Sequence, residues 1–282
     1  HSLLVSNTGS LTLTGGCIGG NATLTKSGAG SLALNGSNSY TGGSTLTAGV
    51  LSAGNVSAFG TGAITLKGGT LNLNGKAIPN TINVQGTATI NNGSSYAGQL
   101  TLTSGSLAGS ALKLTKTAQL SSGSIANVLT GSAGVRKIGT GTVTLSGVNT
   151  YSGTTTLAAG TLKAGSSSAF GNSTIALTGG TLNLNSTAVS NTIAISSGSS
   201  GITGATRYAG HIKLTGGTLK VTSGYTSCAN LTLGGGTLHL NLSENAATVP
   251  AINISGALNI TAPTTIRLSE EFSLGTRTLA TA

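Results

Sequence analysis

The sequence predicts an all-β fold, a solenoid of parallel coils, about 14 to 15 in number and about 19 residues each. Three observations carry that expectation. Aliphatic residues alternate with Thr, Ser and Asn, as in Leu11-Thr12-Leu13-Thr14 and Leu71-Asn72-Leu73-Asn74, and a period of two marks a half-buried strand. Of the 282 residues 46 are Gly; at about 1 kcal/mol per position relative to Ala, that density dismantles any helix. Last, a Gly, a small residue and an aliphatic recur along the whole chain. The aliphatic falls at Leu11, Leu32, Leu51, Leu71, Leu107, Ile125, Val143, Leu162, Leu182, Leu219, Leu238 and Leu258, with Ile90 and Ile202 as weaker members in the gaps. A period near 20 held this long signals stacked repeats.

The parts of one coil follow in order. It opens on a strand whose aliphatic lies five positions before the ladder residue, as at Leu46, Leu66, Leu102, Leu157, Leu177, Leu214 and Leu233. A Gly-containing corner comes next, because Gly accepts positive φ and lets neighbouring backbone approach without a Cβ clash. The second strand carries the ladder residue and, two positions on, another aliphatic or small residue such as Leu13, Leu34, Leu73, Leu145, Leu184, Val221 or Leu240. About eight residues remain to return the chain, and these are the more variable part. The gaps at 90 and 202 predict longer turns near Asn91 to Gly98 and Ser197 to Gly210. Stacked at about 4.8 Å, the coils make a rod roughly 70 Å long.

A longer duplication overlies the short one. Residues 26 to 82 align without gaps on 137 to 193, so that Lys26 falls on Lys137, Asn38 on Asn149, Tyr40 on Tyr151 and Ala58-Phe59-Gly60 on Ala169-Phe170-Gly171. No composition shift divides residues 1–282 into domains. From about Glu244 onward the pattern is least regular, with Pro250, Pro263 and all three acids.

At these residues the chain resembles a known family. The segment from Gly28 through Leu34, Asn38, Tyr40 and Gly49 to Leu51 resembles the autotransporter-associated β-strand repeat, and its copy from Gly139 through Asn149 and Tyr151 to Leu162 is closer still. The resemblance implies a right-handed parallel β-helix. It also implies an extracellular or bacterial cell-surface protein of the passenger kind carried by type V secretion. A translocator barrel is not expected within these residues, since eight aromatics cannot furnish its girdles.

Composition excludes much chemistry. Only 6% of residues are charged and there is no Asp; the acids are Glu244, Glu270 and Glu271, against 13 Lys and Arg, for a net charge of +10. Paired carboxylates, oriented catalytic histidines and Mg²⁺ or Ca²⁺ cages all draw on acids this chain hardly has. His1, His211 and His239 stand at unrelated phases. Glu270 and Glu271 are adjacent, and on a strand would face opposite ways. Gly234-Gly235-Gly236 lacks the Lys and helix of a phosphate loop. No catalytic, cofactor-binding or metal-binding residue is therefore expected.

The basic residues scatter over the coil, with Lys26, Lys137 and Lys213 at one phase and Lys163 and Lys220 at another. No aromatic platform accompanies them, so nucleic acid is not expected, whereas net charge favours anionic glycan or lipopolysaccharide. Thr-x-Thr runs at Thr12, Thr23, Thr45, Thr101 and Thr142 resemble the arrays of ice-binding solenoids, but they start at different offsets from the ladder, so no stacked array is expected. Cys17 and Cys228 lie about 11 coils apart, roughly 50 Å along the axis, too far for a disulfide within one rod. No run of roughly 20 apolar residues spans a membrane, and a chain beginning at His1 with no Met reads as a processed piece of a longer precursor.

These features point to a non-enzymatic extracellular structural protein, a rigid stalk or passenger or the unit of a surface fibre. Leu3-Leu4-Val5 opens the chain and Leu274 to Leu279 closes it without a capping helix, so either the chain continues or molecules stack end to end. The alternative is an adhesin whose turn loops bind glycan or host surface through Tyr96, Arg207 and Tyr208; against it, the tyrosines would cap a corner, as Tyr40 and Tyr151 would. A polysaccharide-active enzyme would need the acid cluster that the sequence lacks.

Overall fold

Strands of three to five residues with alternating inward and outward side chains cannot stand alone, because one dry face per strand must be buried against another. The fold, a computed structural model describing residues 1–16, 18–204, 208–221, 226–241 and 252–269, meets this need by winding. Among the described residues there are 32 strands and no helix. They form two 14-stranded parallel sheets, and successive strands of the chain alternate between them.

The first sheet runs through Ser2–Ser6, Thr23–Ser27, Ser44–Leu46 and Ile64–Leu66 to Asn230–Leu233 and Leu258–Ile260. The second runs through Ser10–Leu13, Ser31–Leu34, Val50–Ala53 and Thr70–Asn72 to Thr237–Asn241 and Thr265–Ser269. Fourteen strands at roughly 4.8 Å spacing span about 65 Å. Two short parallel pairs, Leu112–Leu114 with Leu129–Gly131 and Thr226–Cys228 with Ile252–Ile254, form on the returning side.

Both inner faces are aliphatic. Ile64, Leu66, Ile82, Val84, Leu100 and Leu102 line the first sheet, Leu32, Leu34, Leu51 and Leu71 the second, all fully buried. Burying one such side chain is worth about 1.5–3 kcal/mol, and the column extends through every turn between the two ends. Phe59 and Phe170 fill the same place in the two duplicated turns.

The ladder stacks differently from the arithmetic series. Leu11, Leu32, Leu51, Leu71 and Ile90 form one row. Leu107 then stands opposite Ala88 rather than Ile90, Ile125 stands opposite Leu145, and Val143 opposite Gly123. Val143, Leu162, Leu182 and Ile202 make a second row, continued by Val221, whereas Leu219 opposes Ser200 and Leu238. These are slips of two residues, which leave each side chain on its own face. Leu258 departs further: it pairs with Leu231 in the first sheet, and Ile266 opposes Leu238 in the second. The last described coil is longer than its predecessors, so the regular count reaches Leu258 one strand early. Of the expected long turn near 197–210, Ser199–Thr203 is a strand.

The corner between the sheets is stacked glycine. Gly49 has φ of 73° and Gly69 has φ of 72°, in the left-handed region that L side chains avoid. A Cβ on Gly69 would also lie 2.6 Å from the Gly49 carbonyl oxygen, and one on Gly49 2.4 Å from that of Gly28. Each corner thus rests on the corner of the turn before. Gly75 separates the two effects, since it has φ of 68° but open space where a Cβ would stand. Gly75→Ala is expected to cost about 1–2 kcal/mol from backbone strain alone, and Gly69→Ala clearly more, read as the shift of the guanidinium unfolding midpoint; equal shifts would refute stacking at the corner.

Candidate functional site

An aliphatic core accepts polar groups only when each finds a partner. The chain places several there, mostly in the duplicated segments. Lys26 occupies an inward position between Val5 and Leu46, and Lys137 the same position between Leu120 and Leu157. Both are fully buried. The Lys26 ammonium donates to the carbonyl oxygens of Ser27 at 2.6 Å, Gly28 at 2.8 Å and Ala48 at 3.4 Å. Lys137 donates to Ile138 at 2.6 Å, Gly139 at 2.8 Å and Ala159 at 3.1 Å. Three donors meet three acceptors, two from their own corner and one from the next turn. The glycine column makes room for this: a Cβ on Gly49 or Gly160 would sit 2.7 Å from the ammonium nitrogen. Burial lowers the pKa of both lysines.

One strand further on, a hydroxyl replaces an aliphatic in the inner row, Ser44 in the first copy and Thr155 in the second. Each meets a buried tyrosine: Tyr40 Oη lies 2.6 Å from Ser44 Oγ, and Tyr151 Oη 2.6 Å from Thr155 Oγ1. Asn38 and Asn149 complete the set. The Asn149 Oδ1 accepts from the Leu129 amide at 2.8 Å in the turn before, and its Nδ2 donates to the Ala169 carbonyl at 2.6 Å in the turn after. Asn38 bridges Ile18 and Ala58 in the same way, at 3.1 and 2.8 Å. One side chain therefore ties three turns together.

Tyr96 and Tyr208 belong to this inner set and not to a surface. Both are buried. Tyr96 Oη donates to the carbonyls of Asn80 at 3.0 Å and Gln99 at 2.8 Å, and Tyr208 Oη bonds those of Asn191 and His211. As adhesive contacts they offer no accessible ring, because the phenol tip is what satisfies the returning backbone. Arg207 lies outside the described residues, as do Cys17, Glu244, Glu270 and Glu271. Cys228 is buried and free, its thiol pushed up to about 11 by burial.

Other sequence-marked residues are dispersed. His211 Nε2 lies 2.8 Å from Thr232 Oγ1 on the outer surface of the first sheet, and His239 stands in the second. Lys213 does not share the buried phase of Lys26 and Lys137; it pairs with Ala194 and Thr232 on the outward side. The threonine runs come into partial alignment that offsets from the ladder hid. Thr25, Thr45, Thr65, Asn83 and Thr101 form one outward row of the first sheet, which reaches Gln119 and then Arg136. The runs at Thr12 and Thr142 lie on the second sheet. Among the described residues no three of His, Cys, Asp or Glu come together.

Two stretches match the model of the passenger-associated-transport-repeat family, residues 24–53 and 135–164. Each covers two strands of either sheet and contains the buried Lys, Asn, Tyr and hydroxyl in full. The resemblance of Gly28 to Leu51 and of Gly139 to Leu162 to an autotransporter passenger repeat is thereby shown. No curated protein and no solved structure matches the chain.

The buried phenols make a testable pH signature. Desolvation pushes Tyr40 up to about 12, opposed by its bond to Ser44, and pushes Tyr96, Tyr151 and Tyr208 up further. The unfolded chain loses those protons near pH 10 while the folded chain holds them, so stability is complete below about pH 10 and falls as pH rises through about 12. The lysines act oppositely, gaining stability as pH climbs from their lowered folded values toward 10.5. The tyrosinate absorbance of these four phenols is expected to rise in one cooperative step together with loss of the β circular dichroism; a gradual titration of them near pH 10 in the folded protein would contradict their burial.

Proposed function

We propose that this protein is a non-enzymatic, extracellular structural solenoid, a rigid stalk or passenger segment displayed at a bacterial surface. The observation that carries the reading is continuity: both sheets run through 14 strands without interruption, and the two passenger-associated repeats are built into the same core as the coils between them. A rod of this kind holds distance. Its inner polar ties resist the shear of one turn past the next, and its outer faces carry hydroxyls and amides in place of charges that would stack against their own kind every few ångströms.

The ends and one outer row support what the rod would meet. Leu4 and Leu11 are 67% and 39% exposed in the first coil, and Leu258, Ile260 and Ile266 are 44%, 64% and 47% exposed in the last described one. A further coil, from a continuing chain or from a second copy stacked end to end, would cover such faces. Lys220, His239 and Arg267 occupy one row of the second sheet in consecutive turns, which favours contact with anionic lipopolysaccharide or glycan.

Electron microscopy of the native material, with antibody labelling of intact cells, tests the reading. Labelled rods at least about 65 Å long are expected. Material confined within the cell would sink the proposal.

A further inference from the structure

The duplication supplies an internal comparison, since the same turn is built twice from different linings. In the second copy, residues 167–174 and the stretch 190–192 one turn later border an open groove of about 580 Å³. The scaffold beneath is common to both copies: Phe170 matches Phe59, Gly171 matches Gly60, and Asn191 matches Asn80. Asn191 secures the groove floor by donating to the carbonyls of Gly171 at 2.9 Å and Ser173 at 2.8 Å, as Asn80 does to Gly60 at 3.1 Å and Gly62 at 2.7 Å.

The lining has diverged in one chemical direction. Ser167 stands where the first copy has Val56, Asn172 for Thr61 and Ser173 for Gly62. Thr174 replaces Ala63, and Ser190 replaces Pro79. Four of these five changes put a hydroxyl where the first copy has only hydrocarbon or hydrogen, and the fifth puts an amide for a hydroxyl. Ser173 Oγ is engaged, donating to Gly153 O at 2.6 Å, and Asn172 Nδ2 reaches Thr150 O at 3.4 Å. The side-chain hydroxyls of Ser167, Ser168, Thr174, Ser190 and Thr192 have no protein partner among the described residues. Neither a charged nor an aromatic side chain lines the groove.

We infer that this groove binds a neutral, polyhydroxylated ligand, a mono- or disaccharide unit of an uncharged glycan. The volume lies in the range of small-molecule sites, about 300–1,000 Å³. A ring of free donor-acceptor hydroxyls with no charge suits a partner that is itself hydroxyl-rich and uncharged. An anion or cation would lose its hydration here without a counter-charge. Lacking an aromatic platform, the site holds its ligand weakly, with a dissociation constant on the order of 1 mM. The inference stands apart from the stalk reading, because it rests on one turn and not on where the rod is displayed.

Nitrogen-15 labelled protein titrated with maltose, cellobiose, lactose and di-N-acetylchitobiose tests it. At least one sugar is expected to give saturable amide shifts confined to 167–174 and 190–192. The triple variant Ser173→Gly, Thr174→Ala, Ser190→Pro installs residues that already fold in the first copy, and is expected to weaken binding about tenfold or more. Thr174→Ala alone, at an exposed side chain, is expected to weaken it severalfold with the spectrum otherwise unchanged. Unsaturable shifts with all four sugars would overturn the inference, and so would undiminished binding by the triple variant.

Discussion

The close stacking of corners is the constraint on which the rest of this structure depends. Two parallel sheets that share every turn must bend the chain at the same place each time, about 4.8 Å above the previous bend. At that spacing the backbone of one corner occupies the volume where a side chain of the next would start: Gly180 lies over Gly160 and Gly236 over Gly217, with 2.5 and 2.6 Å from the added Cβ to the carbonyl oxygen beneath. Glycine is the residue that fits, and a composition with 46 of them follows. So does the poverty of charge. Side chains on the outer faces repeat with the period of the corners, so a lysine or glutamate fixed at one position in each coil would face its own kind in every turn.

Within that frame the passenger-associated repeats add something that a purely aliphatic coil lacks. A Leu in the column can slide by two residues and remain buried, and the register around Ala88, Leu107 and Ile125 shows such a shift. Lys26, Asn38, Asn149 and Lys137 cannot slide, because each meets donors or acceptors at fixed positions in neighbouring turns. Removing one partner of such a buried bond costs about 1–3 kcal/mol, and for the ammonium more. The two repeats therefore act as register pins in a column that is otherwise permissive. The set is incompletely satisfied elsewhere, with the Oδ1 atoms of Asn80 and Asn127 and the hydroxyl of Ser200 buried without a protein partner among the described residues.

Strands, corners and parallel stacking were legible in the sequence because period-two alternation and corner glycines are local signals. Register was less so. Inward residues occur in pairs at i and i+2, and a count of Leu to Leu cannot tell which member of a pair stacks on which, as Leu219 opposite Ser200 illustrates. Phase arithmetic also failed where coil length changed, placing Lys213 with the buried lysines and missing the row from Thr25 to Thr101. Tyr96 and Tyr208 had both readings open, as contact or as cap. Their spacing from the following strand is that of a residue that returns its phenol to the backbone, Gln99 in one case and His211 in the other. The duplicated Lys26 and Lys137 could have been read as inward from the alternation Leu24-Thr25-Lys26 and Val135-Arg136-Lys137 alone, had charge not argued for the surface.

Amide hydrogen exchange resolved by residue addresses the central claim most directly, that one unbroken ladder joins all the turns and the repeats pin it. The account predicts slow exchange in two continuous columns, through Leu66, Val84, Leu102 and Leu120 in the first sheet and through Ala88, Leu107, Ile125 and Leu145 in the second, with the Leu129 amide beneath Asn149 among the slowest. Protection confined to 24–53 and 135–164, with rapid exchange throughout the turns between them, would contradict it.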